Sequence, residues 1–326
     1  MLEENIIQNS TKAWILAARP KTLSGAAVPV MIGIAMAFRI VGWQNVQILA
    51  AALCLLFAFI MQVDANFIND YYDCLKGNDD SATRLGPKRA CSEGWITLPA
   101  MKHGIIITTI LACLCGLPLV YFGGWQMIIV GILCVVFSFL YTTKLSYLGL
   151  GDILVIVFFG IIPVCLTYYV CTQTTRLGLS FHPSVLEIPK NVVLTAIACG
   201  LIIDTLLIVN NYRDYDNDKR DGKITLVVRI GKKAAATLYF VLGLVGAHIT
   251  ALLIFKGYRL LDIVLASIIM LIYLSLHART YRKMKRLEGK ELNNVLGETA
   301  RNIFVFGVLT TPVSYTHLTL PTICSV

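Results

Sequence analysis

Long apolar runs are the feature that most restricts how this chain can fold. Runs long enough, or nearly long enough, to cross a membrane as helices fall at about 22–42, 46–66, 104–123, 126–143, 152–171, 192–210, 235–255 and 260–277, and a ninth starts at Asn302. Hydrophobic residues make up 57% of the chain and the mean hydropathy is +0.73, far above an ordinary soluble domain. Because a helix of about 20 apolar residues satisfies its own backbone hydrogen bonds inside the hydrocarbon, the sequence predicts an all-α, polytopic membrane bundle of about nine transmembrane helices.

Lysine and arginine are distributed unevenly between alternate connections of these runs. The side that holds the N-terminus receives most of the 28 basic residues, and the other side keeps only Arg39, Arg176, Lys190, Lys256 and Arg259. Because positive charge is retained on the cytoplasmic side, we expect the N-terminus and the polar loops that follow to lie at the cytoplasmic face of the cell (inner) membrane. The net charge of +9 follows from this asymmetry and from attraction to anionic membrane lipid, and it requires no nucleic acid partner.

Two clusters of aspartate and asparagine end two of the apolar runs, at residues 66–73 and 210–218. A shift of 145 residues pairs equivalent positions, namely Asn66 with Asn211, Asn69 with Asp214, Asp73 with Asp218, and Gly77 with Gly222. The chain is therefore predicted to contain two pseudo-repeated halves that bring carboxylates to one place.

The spacing within each cluster favours a metal site. Positions 66, 69, 70 and 73 share one face if the helix continues, and Asp214 and Asp218 share a face in the same way. Oxygen ligands without sulfur or imidazole suit Mg²⁺, which takes one or two carboxylates together with substrate phosphate oxygens. The sequence therefore predicts a phosphorylated substrate bridged by Mg²⁺.

Basic residues near the carboxylates strengthen this prediction. Those close to the first cluster are Arg84, Lys88 and Arg89, and those in or after the second are Arg213 and Lys223. A diphosphate leaving group needs both metal-bound carboxylates and cationic donors. The alternative is that positive residues only set the topology. We favour that alternative for Lys232 and Lys233 and the functional interpretation for Arg213, which lies among the carboxylates.

Further motifs accompany the clusters in order along nearly the whole chain. They are Ala18-Arg19-Pro20-Lys21-Thr22-Leu23, Arg84-x-Gly86-Pro87-x-Arg89, Tyr141-Thr142, Gly149-Leu150-Gly151-Asp152, Gly222-Lys223-x-Thr225-Leu226, Leu292-Asn293 and Thr299-Ala300-Arg301-Asn302. With these motifs the chain resembles the UbiA-type membrane prenyltransferase superfamily, and within it most closely the branch that prenylates 1,4-dihydroxy-2-naphthoate in menaquinone biosynthesis. Gly77 stands where the superfamily often has a third aspartate, and the next acid is Asp79, as the naphthoate branch tends to show.

The resemblance implies a Mg²⁺-dependent enzyme that transfers a polyprenyl group from polyprenyl diphosphate to 1,4-dihydroxy-2-naphthoate. Diphosphate and CO₂ are lost, and the product is demethylmenaquinone. The implied metal ligands are Asn69, Asp70, Asp73, Asp214 and Asp218. The implied catalytic residues add Arg213, Lys223 and Tyr141, of which Tyr141 would shield the allylic cation.

Substrate binding is assigned to a wider set of polar residues around the clusters. These are Lys21, Asn66, Asn69, Asp79, Arg84, Lys88, Arg89, Asp204, Asn210 and Asn211. Asp204 lies deeper, inside an apolar run, where an unpaired carboxylate is unfavourable. It would hydrogen-bond a phenolic hydroxyl of the acceptor. Protonation, or pairing with a polar group on a neighbouring helix, explains the residue equally well.

Three other functions fit parts of the sequence. Another UbiA-type enzyme, acting on 4-hydroxybenzoate, haem or a chlorophyll precursor, would keep the carboxylates, but the Gly77-x-Asp79 form argues against it. A cation transporter would place its acids near the middle of the bilayer, whereas these end the apolar runs. A membrane phosphotransferase would need an aspartate spacing that the chain lacks.

The C-terminus departs from the pattern of the rest of the chain. The ninth run reads as membrane helix only from Asn302 to Thr311, before Pro312, which is about half of a membrane crossing. The polar stretch that follows resembles a translated sequencing adapter. We therefore expect a transmembrane prenyltransferase domain at 1–312, a truncated last helix, and a non-native tail at 313–326. A real short tail of mixed character is the alternative.

Overall fold

The computed structural model describes residues 6–77, 84–173, 188–255 and 260–315. Within these ranges every regular element is helical. The α-helices are α1 Thr11–Ala18, α2 Leu23–Val41, α3 Ile48–Leu75, α4 Leu98–Gly116, α5 Leu119–Gly123, α6 Gln126–Thr143, α7 Gly151–Ile156, α8 Ile162–Thr172, α9 Lys190–Arg213, α10 Tyr215–Arg220, α11 Leu226–Phe255, α12 Leu260–Met284 and α13 Leu292–Tyr315. A π-helical turn, Val157–Ile161, joins α7 to α8.

Eight helical segments are long and apolar enough to cross a membrane. They are Thr11–Val41, Ile48–Leu75, Leu98–Gly116, Gln126–Thr143, Gly151–Thr172, Lys190–Arg213, Leu226–Ile254 and Ile263–Met284. The 24-residue helix α13 packs against α2 and α12 as a ninth long helix. The predicted all-α, multi-pass bundle is thereby confirmed.

Helix α13 begins ten residues earlier than the apolar pattern predicted. Its first turns are polar, which hid them from a hydropathy reading, but their side chains have partners on neighbouring helices. Thr299 lies 3.1 Å from the hydroxyl of Tyr239 on α11, and Glu298 pairs with Lys283 on α12. The helix also continues through Pro312 to Tyr315, past the predicted stop. Residues 316–326 of the predicted tail lie outside the described residues.

Small residues let α7, the π-helical turn and α9 approach closely. A Cβ atom at Gly160 would lie only 2.5 Å from the Cα of Gly200, and one at Gly200 would lie 2.8 Å from the carbonyl oxygen of Ile156. Contacts of this kind allow van der Waals packing between membrane helices that lack a hydrophobic driving force. They fix the register of α9 against the preceding span.

The two halves end their acidic helices in the same way. The first cluster lies at the end of α3, and the second lies at the end of α9 and in α10. Gly77 and Gly222, paired in the sequence alignment, adopt φ angles of 68° and 70°, a left-handed conformation that favours glycine. Equivalent glycine turns therefore follow both clusters, as the predicted internal repeat requires.

Candidate active site

A cavity of about 1550 Å³ lies inside the bundle. Most of its wall is apolar and comes from the middle of the spans, for example Phe57 and Met61 on α3, Val135 on α6, and Phe158 and Phe159 on the π-helical turn. Its polar end lies where α3 and α9 terminate. Residues of both acidic clusters and of the basic loop that begins at Arg84 line this end together, so the folded chain brings the two predicted halves of the site into one cavity.

The first cluster divides between two environments. Asn69 and Asp73 line the cavity. The side-chain amide of Asn66 instead donates to the carbonyl oxygen of Ala18, at 2.9 Å, and to the Thr22 hydroxyl, at 3.0 Å. A helical stripe of this spacing is about 100° wide, so its two edges can contact different neighbours. The four positions share one helix face as predicted, but Asn66, at one edge of it, contacts α1 and the turn after it and not the cavity.

Asp70 lies on the same edge as Asn66 and is fully buried. Its two carboxylate oxygens accept hydrogen bonds from the backbone N–H groups of Ala90 and Cys91, at 2.9 and 3.0 Å. Asp70 does not line the cavity, in contrast to its assignment as a metal ligand. Its observed contacts hold the end of the 84–91 loop against α3.

The cavity-facing pair of the first cluster has its own partners. Arg89 donates to an oxygen of Asp73 at 2.8 Å, and both side chains are largely shielded from solvent. The hydroxyl of Thr142, at the end of α6, donates to the side-chain oxygen of Asn69. Asn69 and Asp73 are therefore held in place between the basic loop and α6.

Arg213 is the central cation of the second cluster and is only 3% exposed. Its guanidinium makes a bidentate contact with the Asp214 carboxylate, at 2.8 and 2.6 Å, and donates to the Asn210 side chain at 2.9 Å. It also donates at 2.8 Å to the side-chain oxygen of Asn293, at the start of α13. The amide of Asn293 in turn donates to the carbonyl oxygen of Leu85 at 2.7 Å, so one arginine ties α9 to α13 and to the basic loop.

Asp218 is the buried carboxylate of α10 and also lines the cavity. Its Oδ1 lies 3.5 Å from the ammonium of Lys223, and its Oδ2 is buried with no hydrogen-bond partner among the described residues. Burial raises the pKa of Asp218 to about 6, against the opposing effect of Lys223. An unpartnered carboxylate oxygen at a cavity wall is suited to a bound cation.

No group of three or more histidine, cysteine or acidic side chains in the described ranges lies close enough together to hold a metal ion. The acids that line the cavity are spread around its mouth. A divalent cation there would need oxygens from a ligand in addition to those of the protein, which is how Mg²⁺ commonly binds with phosphates.

The basic residues assigned to substrate binding, namely Lys21, Arg84, Lys88 and Arg89, also line the cavity, as does Lys223, which was assigned to catalysis. Burial and, after it, repulsion from Arg89 lower the pKa of Arg84 to about 10. Cationic side chains this crowded are unfavourable alone and suit a multiply charged anion. Asp79 lies outside the described residues.

Two lining residues, Arg19 and Asn293, were quoted in the motifs but not assigned to the site. Arg19 has a left-handed backbone, with φ 51° and ψ 67°, between α1 and the turn at Pro20. A non-glycine residue in this region often marks a functional constraint. The position before a proline at a helix break was the available signal for Arg19, whereas nothing local distinguishes Asn293.

Of four further residues that were assigned to the site, two line the cavity and two do not. Tyr141 lines the cavity, as does Asn210, whereas Asn211 and Asp204 do not. Asn211 and Asp204 are seven residues apart and so share a face of α9, which is buried. A direct hydrogen bond from Asp204 to a molecule in the cavity is therefore not supported.

Comparisons with known proteins identify the family of this chain. The model of the UbiA prenyltransferase family matches residues 26–295. The chain is 37% identical over 242 residues to a 1,4-dihydroxy-2-naphthoate octaprenyltransferase from Escherichia coli, covering 71% of this chain and 72% of that one. It is 30% identical over 314 residues to a UbiA prenyltransferase domain-containing protein 1 homolog from Drosophila melanogaster, covering 91% and 78%.

Solved structures give the same fold. A UbiA homolog from Archaeoglobus fulgidus, bound to GPP and Mg²⁺, superposes with a TM-score of 0.59 at 19% identity, over 92% of this chain and 99% of that one. A UbiA homolog from Aeropyrum pernix superposes with a TM-score of 0.64 at 12% identity, over 89% and 97%. Because the family model covers most of the sequence, this chain belongs to the UbiA prenyltransferase family and is a membrane-spanning transferase.

Proposed function

We propose that the protein transfers a polyprenyl group from polyprenyl diphosphate to 1,4-dihydroxy-2-naphthoate, with loss of diphosphate and CO₂, to give the prenylated quinol, demethylmenaquinol. The observation that carries this proposal is the union of two acidic clusters and a basic loop at the polar end of a large apolar cavity. Such a cavity suits a substrate with a charged head and a hydrocarbon tail. The acceptor is inferred from the name of the Escherichia coli relative and from the ordered motifs.

We assign Mg²⁺ binding to Asn69, Asp73, Asp214 and Asp218, together with oxygens of the diphosphate. The unpartnered oxygen of Asp218 and the oxygen-only donor set fit this ion. When bound, Mg²⁺ neutralises charge on the diphosphate oxygens. The original set included Asp70, whose oxygens are held by backbone N–H groups, and we assign to it the positioning of the basic loop instead.

The protein's own groups contribute to the reaction in three ways. Arg84, Arg89 and Lys223 face the departing diphosphate and offset the charge that grows as the bond from oxygen to the allylic carbon breaks. Arg213, held by its own acceptors, fixes Asp214 and Asn210 at the mouth. The aromatic walls, with Tyr141 near the polar end, shield the allylic carbon from water until the acceptor ring attacks it.

The transporter alternative loses its support because the family is one of transferases. The choice of acceptor is tested by incubating membranes that contain the protein with labelled polyprenyl diphosphates of several lengths and either dihydroxynaphthoate or 4-hydroxybenzoate. We expect labelled product, with release of CO₂, only from dihydroxynaphthoate. Product from 4-hydroxybenzoate alone would refute the proposed acceptor.

We predict that Asp73→Asn and Asp218→Asn each abolish prenyl transfer with little loss of folded protein, because each removes an oxygen ligand and keeps the side-chain volume. The measurement is prenyl transfer by purified protein over a range of Mg²⁺ concentrations. Lys285→Gln, on an exposed side chain beside the Tyr281 ring, is the control and should change activity little. Near-normal turnover by either aspartate variant would rule out a metal site shared by the two clusters.

The contact from Asn293 to Arg213 predicts a second effect. Asn293→Ala removes one acceptor of a buried guanidinium and one donor to the basic loop. A hydrogen bond to a charged group contributes about 1.5–3 kcal/mol, so we expect kcat/KM for the diphosphate donor to fall about tenfold or more. Asn45→Ala, which removes an exposed asparagine bonded to Val41, is the matched control. Equal kinetics for the two variants would contradict a positioning role for Asn293.

We propose further that the mouth of the cavity faces the cytoplasm, as the distribution of lysine and arginine indicates. A cysteine introduced at Lys219, which is exposed on α10, should be protected from a membrane-impermeant thiol reagent in intact cells. A cysteine at Gln173, after α8, should be labelled. The parent protein without an added cysteine gives the background. The reverse labelling pattern would invert the orientation.

A further inference from the structure

Two buried carboxyl groups behind the cavity wall have no role in the function proposed so far. Asp152, in the first turn of α7, is 5% exposed, and Asp204, on α9, is 1% exposed. Both oxygens of Asp152 and Oδ1 of Asp204 are buried without a hydrogen-bond partner among the described residues. Both residues belong to membrane-spanning segments, where an unpartnered carboxylate is strongly unfavourable.

The packing of the two spans places these carboxyl groups opposite each other. A Cβ atom at Gly151 would lie 3.3 Å from the Leu207 side chain, and one at Gly160 would lie 2.8 Å from the carbonyl oxygen of Ala196. The later residue on the first span thus contacts the earlier residue on α9, so α7 and the π-helical turn run antiparallel to α9. A Cβ atom at Gly200 would lie 2.8 Å from the carbonyl oxygen of Ile156. One turn back from Ile156 is Asp152, and one turn on from Gly200 is Asp204. The contact between Gly200 and Ile156 therefore places Asp152 and Asp204 at the same height along the two antiparallel helices.

Tyr141 connects this pair with the cavity. It lines the cavity, and its hydroxyl lies 3.7 Å from the Cβ position of Gly151, next to Asp152. The pair is thus adjacent to a phenol that reaches the substrate space while the acids themselves stay behind the wall.

Two carboxyl groups facing each other in a low-dielectric interior do not both ionise. Like charges at close range raise the free energy of the doubly charged state, and such pairs share one proton. The singly protonated pair can accept one more proton and release it again. The Tyr141 phenol lies between this pair and the cavity, so it offers a path for a proton between the pair and a bound molecule.

We propose that Asp152 and Asp204 form a two-carboxyl proton-accepting site that acts on the aromatic acceptor through Tyr141. This inference rests on the proposed function for the identity of the acceptor. Tyr141 takes the proton of an acceptor hydroxyl as its own proton passes to the carboxyl pair. The electron pair of the broken O–H bond stays on the acceptor oxygen and raises the electron density of the ring.

The remaining bonds then balance. The ring carbon that bears the carboxylate bonds to the allylic carbon, and the diphosphate leaves with the electron pair of its C–O bond. Breaking the bond to the carboxylate releases CO₂ and returns its electrons to the ring and the acceptor oxygen. That oxygen takes back the proton from the pair through Tyr141. The pair is a positioning and proton-holding device that undergoes no net change.

The test compares Asp152→Asn and Asp204→Asn with the wild-type protein. Each variant should lower kcat by about 100-fold, the typical contribution of a positioned acid or base, with KM for the diphosphate donor changed by less than about twofold. The double variant should be no slower than either single variant, because the two acids act as one unit. The fall in wild-type kcat at acidic pH, where the pair becomes doubly protonated, should be lost in the variants.

Asp64→Asn is the matched control. Asp64, on α3, is another fully buried intramembrane carboxyl, but it accepts hydrogen bonds from the hydroxyls of Thr108 and Thr109 on α4. This variant should keep the wild-type pH profile. A purely structural role for Asp152 and Asp204 would lower the thermal midpoint of the variants and leave the pH profile of the remaining activity unchanged, and that result would overturn the proposal.

Infrared difference spectroscopy supplies a readout that does not depend on turnover. At neutral pH, the difference spectrum between wild type and Asp204→Asn should show the C=O band of one protonated carboxyl group. The difference spectrum between wild type and Asp152→Asn should show the same band, because the two acids share that proton. Its absence would overturn the shared proton. If the band is present but wild-type protein does not prenylate dihydroxynaphthoate, the proposed acceptor fails and the carboxyl pair stands. If wild-type protein prenylates dihydroxynaphthoate normally but the band is absent, the carboxyl pair fails and the proposed acceptor stands.

Discussion

The guanidinium of Arg213 must find acceptors at the edge of the membrane, and the site is organised around the acceptors that it finds. A buried charge left without partners destabilises a protein by several kcal/mol. Arg213 avoids this through a bidentate contact with Asp214 and further bonds to Asn210 and Asn293. Because these groups come from α9, from the junction between α9 and α10, and from α13, the contacts of one cation fix the relative position of three elements at the mouth.

The basic loop is held in the same way from the opposite side. Asp70 accepts from the backbone of Ala90 and Cys91, and Asp73 accepts from Arg89. A Cβ atom at Gly86 would lie 2.8 Å from the guanidinium of Arg213, so the loop lies directly on that side chain. Acids thus position cations, and cations position acids, around a space in which a diphosphate and its metal ion can bind. The apolar walls below this layer continue into the membrane, which suits a hydrocarbon tail.

Much of this architecture could be predicted from the sequence because it depends on local patterns. Apolar runs located eight spans, and Gly77 and Gly222, which the internal repeat pairs, adopt the same left-handed φ. The meeting of the clusters followed from their equivalent places at helix ends. The division of the first cluster could not be predicted, since periodicity gives a face and not which neighbour covers each edge. Asn66 and Asp70 bond to α1 and to the loop, whose positions are set by tertiary packing.

Long-range pairing accounts for the other differences. The start of α13 is polar in sequence and was missed, because its partners lie on α11 and α12. Asn293 gave no local sign of its contact, which depends on α13 reaching Arg213. Hydropathy alone counts such residues as interruptions of an apolar run, whereas Thr299, Glu298 and Asn293 each find a polar partner on another helix in the folded bundle.

The most direct test of the central claim, that one metal–diphosphate site is shared by both halves, is a crystal structure with Mn²⁺ and a non-reactive thio analogue of a polyprenyl diphosphate. Anomalous scattering would locate the metal. We predict Mn²⁺ bound to diphosphate oxygens between Asp73 on α3 and Asp218 on α10, with Asp70 still bonded to the loop backbone. Mn²⁺ bound by one cluster alone, or a diphosphate seated away from the polar end of the cavity, would contradict this account.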